Sequence, residues 1–173
     1  MAMNQALLSP IIAYDDVEKL AKQILVKNGL DEKVPVDPIA LAKMNDIDVK
    51  LAGFKEPGVA GAIIKENGHV TIFANKDDLY SQQRFTVAHE LGHYYIHLLS
   101  ENNKGIVDFH RTIDNDDENP IEDQANKFAA ALLMDGILIK NIWGHFKSAE
   151  PMAKIFRVSV DTMEYRLKDL GLA

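Results

Sequence analysis

His89-Glu90-Leu91-Gly92-His93 sets two imidazoles four residues apart, with a carboxylate directly after the first. On an α-helix, residues four apart are offset by about 40° and separated by ~6 Å along the axis. Both rings therefore leave one face and can share one metal ion, at about 2.0–2.1 Å from each ring nitrogen. Glu90 lies a further ~100° around the helix, too far to be an easy ligand. Its carboxylate still reaches a water beside that ion, which is where a general base is needed. The chemistry implied is metal-assisted hydrolysis. The surrounding run is otherwise apolar, with Phe85, Val87, Ala88, Leu91, Ile96 and Leu98 among its members. Burying His89, Glu90 and His93 in such company is costly unless they are given partners, and a zinc ion with its water satisfies all three.

A catalytic zinc site has three protein ligands, so one more is required. The chain has no cysteine, which leaves His, Asp and Glu. His97 continues the stripe but stands about 12 Å along the axis from His89, so it cannot join the same ion without breaking the helix. Glu122 opens an Ala-rich helix, with Asn126 one turn later on the same face. The small residues Ala125, Ala129 and Ala130 let that helix approach the His89–His93 helix closely. Spacing alone leaves Glu122 open between a metal ligand and a carboxylate favoured by the helix dipole. Asn126 is suited to bond a ligand imidazole.

These residues must be positioned by a chain of 173 residues, 47 % hydrophobic and 26 % charged, which is the size and balance of one globular domain. The absence of cysteine excludes a disulfide scaffold, a Cys-ligated zinc finger and a cysteine nucleophile. A formal charge of −7 argues against binding nucleic acid or an anionic membrane directly. There is no basic leader and no apolar run of the ~18 residues that span a bilayer, so a cytoplasmic protein is expected.

Helical spacing runs from Tyr14 to Asn28, with Gly29 as its stop, and Asp37-Pro38 caps a second short helix. Ile47, Val49 and Leu51 alternate with charged residues, and two further β-like runs flank Lys65-Glu66-Asn67-Gly68, a tight hairpin turn. Helices dominate from Ser81 onward, apart from an acidic stretch at 101–119 that reads as a loop. The expected fold is α+β: mostly helical, around a small antiparallel sheet of about three strands and a central H-E-x-x-H helix. The expected organisation is an arm over 1–13, a metallopeptidase domain over 14–148 and a helical appendage over 149–173 packed on the same domain.

Arg84-Phe85-Thr86-Val87-Ala88-His89-Glu90-Leu91-Gly92-His93, with His97 four on, resembles the signature of the ImmA/IrrE family of zinc metallo-endopeptidases. That family's second motif, E-x-x-A-N-x-F-A-A-x-L-L-M-P, is matched by Glu122-Asp123-Gln124-Ala125-Asn126-Lys127-Phe128-Ala129-Ala130-Ala131-Leu132-Leu133-Met134, with Asp135 in place of the proline. The resemblance covers the chain from about Asp15 to its end. It implies a zincin-like domain of gluzincin style holding one Zn2+ per chain through His89, His93 and Glu122. Glu90 is then the catalytic residue, and Asn126 and His97 steady the ligands. It also implies a protein partner, a helix-turn-helix repressor or an antitoxin encoded nearby. Such a partner is either cleaved or, in a toxin or antirepressor-like binding module, engaged by contact over a structural or latent zinc site. An intact Glu90 favours cleavage, because a structural site has no use for a general base.

Three other features bear on function. Residues 157–173 have the outline of a helix-turn-helix remnant, but their charges nearly cancel, so a structural helix is expected rather than a DNA reader. Tyr80, His110, Arg111 and His145 have the right chemistry to stabilise an oxyanion, though each also reads as an ordinary surface residue. Tyr94 and Tyr95 read as core aromatics whose hydroxyls reach a rim.

Overall fold

The computed structural model describes residues 14–99, 107–112 and 119–173. The expected arm over 1–13 lies outside the described residues. Seven α-helices and four strands are described: α1 Tyr14–Lys27, α2 Pro38–Met44, β1 Ile47–Ala52, β2 Val59–Glu66, β3 His69–Asn75, α3 Tyr80–Gly92, β4 Val107–Thr112, α4 Pro120–Leu133, α5 Gly136–Phe146, α6 Ala149–Phe156 and α7 Val160–Asp169. Beyond Gly92, helix α3 continues as a π-helix over His93–Leu98.

Local chemistry sets the boundaries. The Asp37 carboxylate accepts from Ile39 N and Ala40 N, with Pro38 at the first helical position, so α2 starts where the sequence places it. Asn119 and Pro120 do the same for α4. Gly29, at φ +67°, closes α1, and the Leu30 amide returns to the Leu25 carbonyl. Asp135, where the family motif carries proline, caps α5 through Ile137 N and Leu138 N.

Asn67 and Gly68 both take positive φ, the requirement of the two-residue turn that joins β2 to β3. The sheet differs from the expectation in two respects. Its order is β1-β3-β2-β4, and β1 runs parallel to β3, with Ile47 opposite Val70, so the sheet is mixed. The tight turn commits one side of β3 to β2, and β1 takes the other side in the direction dictated by its entry from α2. The second difference is β4, which falls within the stretch expected to be a loop and pairs antiparallel with the outer side of β2. Only the short alternation of Val107 and Phe109 hints at it in sequence, because edge pairing is decided by a partner far away in the chain.

One continuous core joins α1, the sheet, α3, α4 and the C-terminal helices, where Met152, Phe156, Met163 and Leu167 are buried. Two buried arginines pin its periphery. Arg84 of α3 donates to the carbonyls of Val36, Phe156 and Arg157, so its charge sits against the carbonyl-rich end of α6. Arg166 of α7 holds Glu18 of α1, Asp169 and the Met134 carbonyl at the end of α4. Among the described residues, no helix is long and apolar enough to cross a membrane.

Replacing Arg84 with Met keeps the stem but strands three carbonyl acceptors. Urea unfolding is expected to show a loss of about 2–4 kcal/mol. A loss below about 0.5 kcal/mol would show that the C-terminal helices do not depend on this tie.

Candidate metal centre

Helix α3 is buried from Thr86 to Gly92, so the polar side chains of that half have to be satisfied from a neighbour. That neighbour is α4. A Cβ built on Gly92 meets Ala125 Cα at 3.0 Å, Ala125 O at 3.1 Å and Phe128 Cβ at 3.2 Å. The two backbones touch at Gly92 and Ala125, and the small residues expected to permit this, Ala125, Ala129 and Ala130, are all buried. On the other side of α3, a Cβ on Gly61 of β2 would collide with Thr86 Cγ2 and come within 3.4 Å of Glu90 Oε1. A glycine flanked by Ala60 and Ala62 inside a strand is the sequence signal of such an approach.

The contact with α4 brings three side chains together. His89 Nε2 lies 3.0 Å from His93 Nε2 and 3.1 Å from Glu122 Oε2, and His93 Nε2 lies 3.2 Å from Glu122 Oε1. Tetrahedral zinc bonds of about 2.0–2.1 Å require donor atoms about 3.3–3.4 Å apart, so this triangle needs only slight widening to accept the ion. The donor set, two imidazoles and a carboxylate, is that of a catalytic zinc site with one position left for water. His89 and His93 are 0 % and 1 % exposed and Glu122 is 24 % exposed, so solvent reaches the triangle from the Glu122 side. Burial works to raise the Glu122 carboxyl, but hydrogen bonds and charge from His89 and His93 outweigh it and hold the group well below the usual carboxylate range. Glu90 is fully buried.

The remaining expected residues surround this triangle. Asn126 Oδ1 is 2.9 Å from His89 Nδ1. His97 is not in the triangle: its Nδ1 is 3.1 Å from His93 Nδ1, and its Nε2 is 3.1 Å from Gln124 Oε1. Burial, as the main cause, lowers the His97 pKa to about 4, so the ring is neutral at neutral pH. The sequence reading did not single out Gln124; a buried amide in an Ala-rich helix two residues past a ligand was its only signal.

Tyr80 packs its ring over the Arg84 guanidinium, and neither it nor His145 lines the cleft beside the triangle. His110 and Arg111 sit on β4, opposite Ala62 and Gly61 respectively. Tyr95 reaches no rim. It packs on Phe128, its hydroxyl is buried with no hydrogen bond among the described residues, and burial is the main cause that pushes its pKa up to about 12.

The Peptidase_M78 family, described as the IrrE N-terminal-like domain, matches residues 40–168. The chain belongs to this family of metallopeptidases. The comparison with curated proteins gives no match. The matched span of the IrrE-like domain contains β1 through most of α7, and with them His89, Glu90, His93 and Glu122. A cleft of about 490 Å³ runs past Ala60 of β2, Thr86 of α3 and Asn126 of α4 to Thr162 and Tyr165 of α7, and so opens beside the His89 partner.

Two measurements test this geometry. Gly92→Ala raises helix propensity by about 1 kcal/mol in isolation, yet here it is expected to destabilise by about 1–3 kcal/mol and weaken metal binding, because Ala125 backbone atoms occupy the space. A more stable variant would show that the helices separate freely. Metal affinity, measured by chelator competition at a series of pH values, is expected to be highest above neutral pH and to fall steadily as pH drops below it, because the ligands must be deprotonated. The sign follows from the groups: Glu122 stays ionised through that window, so protons compete with the metal at imidazole nitrogens. An affinity that stays constant across that range would show that imidazoles are not the ligands.

Proposed function

We propose that the chain is a zinc-dependent endopeptidase that hydrolyses a peptide bond in a regulatory protein, a helix-turn-helix repressor or antitoxin. The observation that carries the reading is the convergence of His89, His93 and Glu122 donor atoms at 3.0–3.2 Å, with Glu90 buried on the same helix. His89, His93 and Glu122 would hold the zinc, which supplies Lewis acidity toward a carbonyl and toward water when bound. Glu90 takes a proton from the attacking water as its oxygen bonds to the peptide carbonyl carbon. It then passes that proton to the nitrogen as the carbon–nitrogen bond breaks, leaving a carboxylic acid and an amine. Asn126 holds the His89 ring by accepting from Nδ1, which leaves Nε2 with its lone pair directed at the site. The substrate segment lies in the cleft past Ala60, Thr86 and Asn126. Among the described strands β4, not β2, stands at that edge of the sheet, where an extended chain can pair.

The reading is tested by incubating zinc-loaded protein with the product of the neighbouring gene, with cleavage followed by mass spectrometry. Glu90→Gln keeps the size and the helix, so zinc is expected to stay while cleavage falls at least ~10²-fold, mainly in kcat. His89→Ala is expected to lose both zinc and cleavage. In cells, a Glu90→Gln variant as active as the wild type would overturn hydrolysis and assign the function to partner contact.

A further inference from the structure

The cleft past Thr86 and Asn126 is continuous with the candidate metal centre along two helices. On α3, its lining residues Gln82 and Thr86 lead four residues at a time to Glu90. On α4, Asn126 and Ala130 follow Glu122 at the same step. Residues at this step share a helix face, so one stripe of each helix runs from the candidate site into the cleft. The third wall is α7. Met163, Arg166 and Leu167 bury one side of that helix, whereas Asp161, Thr162 and Tyr165 line the cleft at the same helical spacing. Helix α7 therefore has two faces in use, one for the core and one for the cleft.

Tyr165 lies outside the buried core and is 61 % exposed, although it lines the cleft. Other exposed apolar side chains gather at the same mouth. Leu79 and Tyr80 stand between the lining residues Asp78 and Ser81, and Val160 stands between Ser159 and Asp161. Apolar surface concentrated at the mouth of a cleft marks a contact site rather than a support. The cleft wall is mainly apolar, and its volume of about 490 Å³ falls within the ~300–1,000 Å³ of ordinary ligand sites. Its charged lining, Asp78, Asp123 and Asp161 against Lys127, is net negative and opposes an acidic occupant.

We propose that Tyr165 and Phe85 form a specificity site for one large apolar side chain of the protein substrate: phenylalanine, tyrosine, leucine or methionine. Burial against two rings recognises such a side chain by area and by ring contact. Phe85 is five residues before Glu90 and Ser81 is nine before it, roughly 7–13 Å along the helix axis. An extended chain advances ~3.3 Å per residue. The recognised residue is therefore two to four positions from the bond that is cut.

This inference rests on the proposed endopeptidase activity, and the test separates the two. Zinc-loaded protein is incubated with the product of the neighbouring gene and with a mixed-sequence peptide library, and cut sites are read by mass spectrometry. The wild type is expected to favour large apolar residues at one position two to four residues from the cut. Tyr165→Ala is expected to lose that preference and about 10-fold in kcat/KM, and Tyr165→Phe to keep both. Zinc content and melting temperature are expected to be unchanged in both variants, because Tyr165 lies outside the core. A wild type that cuts either substrate while Tyr165→Ala cuts it equally well overturns the specificity site alone. So does a preference for lysine or arginine at that position, which would assign the cleft to its carboxylates. A zinc-loaded wild type that cuts neither substrate overturns the endopeptidase reading and the specificity site with it.

Discussion

The contact between Gly92 and the Ala125 backbone is the constraint on which the rest depends. Helices with ordinary side chains between them pack with axes 8–10 Å apart. A glycine against an alanine backbone removes the intervening layer, and Glu122, Gln124 and Asn126 all descend from α4 onto residues of α3 or its π-helical extension. A carboxylate reaches only a few ångströms from its backbone. An added methyl group at this contact moves Glu122 away from both imidazoles at once, and Asn126 and Gln124 with it.

What this contact assembles is unfavourable in isolation. Two imidazoles from α3 and its extension and a carboxylate from α4 converge at 3.0–3.2 Å. Without a cation or protons between them they repel, and burial strengthens the repulsion by lowering the local dielectric. The scaffold therefore has to impose the arrangement. Arg84 fastens the first half of α3 to the entry of α2 and the end of α6, and Arg166 fastens α7 to α1 and to the end of α4. Both ties use the fixed fork of the guanidinium on several acceptors at once, which specifies orientation as well as contact.

The sheet contributes proximity rather than chemistry. Gly61 lets β2 lie directly on Thr86 beside Glu90, so the strand forms one wall of the cleft and Asn126 and Ala130 form another. The histidines are sealed beneath, and the exposed part of the triangle is Glu122.

Much of this was legible in the residues alone, for reasons of short range. The spacing of His89, Glu90 and His93 is a property of one helix turn. The caps at Asp37 and Asn119 and the Asn67-Gly68 turn are decided within four residues, and each is found where the sequence places it. Glu122 was legible only as one of two readings until its motif was recognised, since nothing in spacing says which helices meet. The parallel pairing of β1 with β3 and the β4 edge required partners distant in the chain. So did the burial of the Tyr95 hydroxyl. The π-helical turn at His93 and the bond from Gln124 to His97 were decided last, by the tertiary structure alone. Both depend on how α3 and its extension settle against α4 to within a fraction of an ångström. One-dimensional spacing cannot encode that distance, because hydrogen bonds and ligand bonds act across it only after packing has fixed it.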